Sequence, residues 1–173
     1  MADSSQGETA IAVIASTAGY VAVAASTTGG TAPGGVTAPT GCTLSSGTDI
    51  STWVTQIEVG ADIATLDTTT FGSGGFVAMV PGLKSGVMNL NILQDWAGSA
   101  PNALLGMNGS VIAVGSTGFI EIKPTSGSRS TTNPSFMAKI INNGWRTLNA
   151  TVGGLSVIQW NVQITGGFAE LTA

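Results

Sequence analysis

At 173 residues the chain is sized for one domain with a single core, yet charged residues make up only 8% of it, against roughly 25% in an ordinary soluble domain. A net charge of −4, with the basic residues scattered between Lys84 and Arg146, excludes a basic nucleic-acid reader. The absence of histidine removes the commonest general base and metal ligand together. With a mean hydropathy of +0.37 and so few charges, much of the surface is expected to be covered by other subunits.

The N-terminus, MADSSQGE, lacks the positive region of a secretory signal, and Cys42, the one cysteine, fits a reducing compartment. Ala10–Ala25 is apolar but too short and too rich in Ser, Thr and Gly to span a membrane. It reads as two short strands, Ala10–Ser16 and Tyr20–Ala25, followed by a Gly/Thr/Pro-rich loop from Ser26 to Gly41. Residues 1–41 are therefore expected to form an N-terminal arm or strand pair packed on adjacent subunits. Residues 42–173 are expected to form the main domain.

Within that domain Cys42–Ser45 predicts a strand, and the next runs over Trp53–Val59. There Trp53, Thr55, Ile57 and Val59 alternate with Val54, Gln56 and Glu58, the period of a half-buried strand. Leu66–Phe76 reads as a glycine-rich loop whose phenylalanines, Phe71 and Phe76, need a partner surface. A strand Phe76–Val80 is predicted to stop at a Pro81-Gly82 turn. In the strand Val87–Gln94, Met88, Leu90 and Ile92 oppose Asn89 and Asn91. Ser99–Gly106 predicts one short helix, with Pro101 near its start. Val111–Val114 and Phe119–Lys123 predict a hairpin, Pro124–Pro134 a polar loop, and Phe136–Asn142 a strand followed at Asn143-Gly144 by a hairpin turn or, the favoured reading, a bulge. Leu155–Thr165 is the cleanest strand, with Ile158, Trp160, Val162 and Ile164 on one face and Gln159, Asn161 and Gln163 on the other. Many strands and one helix make the fold mainly β: a β-sandwich or barrel with the helix packed on it.

Catalytic chemistry finds little to stand on. Gly72-Ser73-Gly74-Gly75 is not followed by the Gly-Lys-Ser/Thr of a phosphate loop. Asp49, Glu58, Asp62 and Asp67 form an acidic run without calcium-loop spacing, and read as a solvated face. Trp53 and Trp160 lie on apolar strand faces and read as core, while Trp96 and Trp145 end or interrupt strands and read as exposed contacts. No catalytic, cofactor or metal site is expected, and the chain is not read as an enzyme.

GTDISTWVTQIEV, LDTTTFGSGG, PGLKSG and LNILQDWA occur in that order, followed by PNALLGMNGS, FIEIKPTSGSRSTTNPSF and LNATVGGLSVIQWNVQITG. This series, from about Thr43 to Gly167, resembles the tail tube (major tail) proteins of long-tailed bacteriophages. The Ala/Gly/Thr-rich N-terminal segment and the very low charge depart from it. The resemblance implies a β-sandwich with one short α-helix, whose inner sheet joins those of its neighbours into a ring-shaped barrel. Hexameric rings would stack into a hollow tube that conducts the genome during ejection. Its partners would be further copies of itself, other tail proteins at the two ends, a tape-measure protein, and then double-stranded DNA bound without sequence specificity. No membrane is involved, and the location would be the virion tail, assembled in the host bacterial cytoplasm.

For such a tube, Gln56, Glu58, Asp62, Asp67, Asn89 and Asn91 are candidates for lining the lumen, together with Gln159, Asn161 and Gln163 on the last strand. Thr69, Phe71, Gly74, Phe76, Trp96 and Trp145 are candidate subunit contacts, with Phe71 the anchor of the loop. Two other readings fit the composition: a carbohydrate-binding β-sandwich using exposed tryptophans, and a capsid decoration or tail terminator protein.

Overall fold

A computed structural model of the chain describes residues 19–29, 41–70, 77–96, 98, 100–146 and 154–172. Among them are β1 (Tyr20–Ala24), β2 (Ser26–Thr28), β3 (Thr43–Ser45), β4 (Thr48–Asp49), β5 (Val54–Asp67) and β6 (Met79–Leu93). Then follow the short helix α1 (Pro101–Leu105), β7 (Thr117–Lys123), β8 (Ser135–Asn142) and β9 (Val157–Leu171). The main sheet is seven-stranded and antiparallel, in the order β4-β1-β7-β8-β9-β6-β5, with β2 and β3 paired separately.

The two edges of this sheet are consecutive in sequence. Only residues 50–53 separate β4 from β5, a reach of about 18 Å at full extension. A flat seven-stranded sheet would hold those edges roughly 29 Å apart. The sheet must therefore curl, and the connector bridges its halves directly. Ile50 N donates to Val21 O at 2.8 Å in β1, and Trp53 O accepts from Leu93 N at 2.7 Å in β6. The two layers expected of a sandwich are halves of one bent sheet. Among the described residues it stays open, because β4 pairs with β1 and β5 with β6 and neither edge pairs with the other.

Alternation decides what the bend encloses. Met88, Leu90, Ile92, Ile158 and Trp160 from one half are fully buried, and Val23, Ile120 and Ile140 from the other half meet them in one core. Asn142 ends β8 inside that core. Its Nδ2 donates to the carbonyls of Leu105 (2.8 Å) and Ile112 (2.9 Å), while its Oδ1 accepts the Trp160 indole N–H at 2.9 Å. The neighbouring Trp145 donates its indole N–H to Asn102 Oδ1 at 2.9 Å and meets Trp160 edge-on. Side-chain amides thus tie α1 to β8 and β9.

Several expectations change here. Pro81-Gly82 is no turn: β6 runs through it, with Pro81 opposite Thr65. β9 borders β6 only from Gly86 onward, so this half of β6 has a bare side where a residue without an N–H is tolerated. Val111–Val114 forms no strand, because the Val111 and Ile112 N–H groups donate to Leu104 O, both at 3.1 Å, instead of to β7. Ile112 drops into the core against Gly118, where an added Cβ would lie 2.3 Å from its Cδ1. Asn143-Gly144 carries no bulge, since β8 stops at Asn142. β8's register shift lies instead against β9, between Ala138 and Ile140, and β9 continues past it to Leu171. Residues 20–24, read as part of an N-terminal unit, form a strand inside the main sheet, and the rest of that unit up to residue 18 lies outside the described residues.

On the outer side of β7 and β8, Glu121 is buried under residues 124–134. Its Oε1 accepts from Arg129 Nε (3.1 Å) and Nη2 (3.0 Å) and from the Ser135 hydroxyl (2.6 Å). Arg129 also donates to Cys42 O at 2.6 Å, fastening β3's approach to the same face.

Candidate functional site

The outer face of β5, β6 and β9 carries the polar positions that alternate with the core. Register places them in rows: Gln56 beside Asn91 beside Gln159, then Glu58 beside Asn89 beside Asn161. Asn91 Nδ2 donates to Gln56 Oε1 at 2.8 Å across the first row. These six side chains line one shallow depression of about 320 Å³. Side-chain amides donate and accept at once, so the rows present no fixed sign of charge, and Glu58 is the only ionisable group among them.

The other lumen candidates divide. Gln163 occupies the next rung of β9, between Val87 of β6 and Ile141 of β8. Asp62 lies further along β5 on the Glu58 side, opposite Ser85. Asp67 falls on the opposite side of β5, an odd position where Glu58 and Asp62 are even. Its carboxylate is held below the usual range by hydrogen bonds from the Thr69 hydroxyl and backbone N–H, the latter at 2.8 Å. Two basic residues lie near by register: Lys84 on β6, opposite Ile63 and next to the Asp62–Ser85 pair, and Lys139 on β8, two positions from Ile141.

Among the described residues, the part of β6 before Gly86 pairs with β5 alone, and the two form a two-stranded arm. Thr68 and Thr69 fasten its far rung: Thr68 N donates to Ala78 O at 2.8 Å, and Ala78 N donates to Thr69 Oγ1 at 3.0 Å. Along the arm Ile63, Leu66, Val77, Met79, Val80 and Leu83 are all exposed, Leu83 at 87%. Sequence reading missed this apolar arm because it placed a turn at Pro81-Gly82. The available signal was the continuous apolar run Val77-Ala78-Met79-Val80 before that pair.

Among the contact candidates, Thr69 is exposed at the arm's end, while Phe71, Gly74 and Phe76 lie outside the described residues. Trp96 is 59% exposed, just past the end of β6. Trp145, expected as an exposed contact, is buried in the chain's own core, because its indole N–H finds Asn102 there. Trp53 packs on the core with its N–H on Asp95 Oδ2 at 3.2 Å, and Trp160 is fully buried. Trp96 is thus left without a second exposed tryptophan to pair with among the described residues. No group of three or more Cys, Asp or Glu residues among the described residues is placed to hold a metal, and no helix there is long and apolar enough to cross a membrane.

No protein-family model matches the chain, and no curated protein matches it. Two solved assemblies contain a chain similar to it. One is the tail of an empty gene transfer agent particle, computed with helical refinement in C6 symmetry, at 9% identity and a TM-score of 0.49 over 68% of this chain and 81% of that chain. The other is the virion of a native gene transfer agent particle, at 11% identity and a TM-score of 0.49 over 68% of this chain and 84% of that one.

Proposed function

We propose that the chain is a structural subunit of the tail-tube type, which assembles as hexameric rings stacked into a hollow tube. The observation that carries this reading is the outer face of β5, β6 and β9: two aligned rows of amides with one carboxylate. A channel for double-stranded DNA needs such a lining. Each Lys or Arg set against a phosphate would add affinity through counterion release, and a ring would repeat it at every level. Amides hydrate the wall without attracting the backbone, and Glu58 repels it.

In this reading β5, whose outer edge has no partner strand among the described residues, meets a neighbour's sheet, and the joined inner sheets form the ring-shaped barrel. The apolar arm and the loop that follows it, with Phe71 as anchor, contact adjacent subunits. A tape-measure protein and then the genome occupy the channel without sequence-specific binding, and other tail proteins close the two ends. The tube belongs to the virion tail and is built in the host bacterial cytoplasm. The subunit has no enzymatic role. The sequence resemblance from Thr43 to Gly167 supports the same assignment.

Electron microscopy of the purified protein tests it. Tubes with a regular ring repeat are expected. Monodisperse monomers at all concentrations would refute the assignment, and isolated rings that never stack would favour a terminator.

A further inference from the structure

The chain contains two Asn-Gly pairs, Asn108-Gly109 and Asn143-Gly144. In such a pair the glycine nitrogen attacks the asparagine side-chain carbonyl readily, because no Cβ restricts the backbone or hinders the approach. Both asparagines are exposed, so access to water does not separate them. The nitrogen that follows each one does. Gly109 N donates to Gly106 O at 3.0 Å, and the next nitrogen, Ser110 N, donates to Ala103 O at 3.0 Å. A Cβ on Gly109 would lie 2.4 Å from Leu104 O, so this peptide is pressed against the end of α1. Gly144 is held far less tightly. Its N–H donates to Asn142 Oδ1 at 3.3 Å, longer than an ordinary N–H···O bond, and that oxygen already accepts the Trp160 indole N–H at 2.9 Å. An added Cβ on Gly144 would meet no atom of the described residues within 4 Å.

We infer that Asn143 is a site of spontaneous deamidation, and that the fold spares Asn108. Gly144 N forms a bond to Asn143 Cγ, and the Cγ–Nδ2 bond breaks. The departing amide nitrogen takes the Gly144 proton and leaves as ammonia. Water then opens the resulting succinimide at either carbonyl, to aspartate or to isoaspartate. Either product adds a carboxylate to a chain whose net charge is −4. The isoaspartyl form also lengthens the backbone by one carbon between Asn142 and Trp145, both buried in the core. The inference does not rest on the tube reading.

The test is incubation of the full chain at mildly alkaline pH. Peptide mass mapping reads the amide-to-acid change at each site, and an isoaspartate-specific methyltransferase gives a second readout. Asn143 is expected to convert about tenfold or more faster than Asn108, because Gly109 N must first leave its hydrogen bond and its packing. In urea, with both pairs unfolded, the two rates should converge. Gly144→Ala, whose Cβ has room and whose φ is not left-handed, should keep the fold and nearly abolish conversion at Asn143. Equal rates in the native chain, or a faster Asn108, would overturn the inference. So would a gap that persists in urea, which would trace the difference to sequence alone, or a Gly144→Ala chain that converts at the parent rate.

Discussion

Asn142 shows how much of this core hangs on one polar side chain. It satisfies the carbonyls of Leu105 and Ile112 and the indole of Trp160, so its loss leaves three buried groups without that partner. Each orphaned group costs about 1–3 kcal/mol. Asn142→Ala is therefore expected to destabilise the chain by about 3 kcal/mol or more, read as a lower urea midpoint. A change below about 1 kcal/mol would mean that water replaces the amide. The sequence marked Asn142 only as the end of a strand. Periodicity assigns a face to a residue but does not say which backbone carbonyls a distant loop will bring to it. The same blindness put Trp145 outside, because its partner Asn102 lies on another element.

At the scale of elements, alternation was the legible signal. It gave the buried faces of β6 and β9 residue by residue, and it put Gln56, Glu58, Asn89, Asn91, Gln159 and Asn161 on the face opposite the core. That these positions fall into two rows was not legible, since register depends on bulges at Val54/Gln56 and Ile63/Thr65. Pro81 misled for a physical reason: proline stops a strand only where both sides need a ladder, and β6 is bare on one side there. The arm it belongs to leaves six large apolar residues exposed among the described residues. Leu83→Asp should leave monomer stability within about 0.5 kcal/mol of the parent, as surface changes do. It should sharply reduce tube yield by sedimentation. Full-length tubes at normal yield would remove the arm from the contact surface.

For the whole molecule, the sign of the lumenal face is what the proposed role depends on. Glu58→Lys would convert its one ionisable position from repelling to attracting phosphate and set six new cations in every hexameric ring. Since 6–10 phosphate contacts change affinity by about 10³–10⁵ over a modest salt range, ejection should slow markedly at low ionic strength and recover as salt rises. Tubes should still form, because Glu58 makes no contact that holds the sheet. Unchanged ejection kinetics in virions carrying the variant would place this face on the outer wall.

The position of β9 has a consequence for how the chain is made. It is the last strand in sequence, yet it lies between β8 and β6. While a ribosome is still upstream of residue 157, β4-β1-β7-β8 and β6-β5 are two separate fragments, each with a raw edge and half a core. Apart from the connector at residues 50–53, β9 is what joins them edge to edge, and the same strand supplies Gln159 and Asn161, the third member of each amide row. A chain cut short before β9 therefore has neither a complete core nor both complete amide rows, and in the proposed tube the order of the sheet would keep such products out of the polymer.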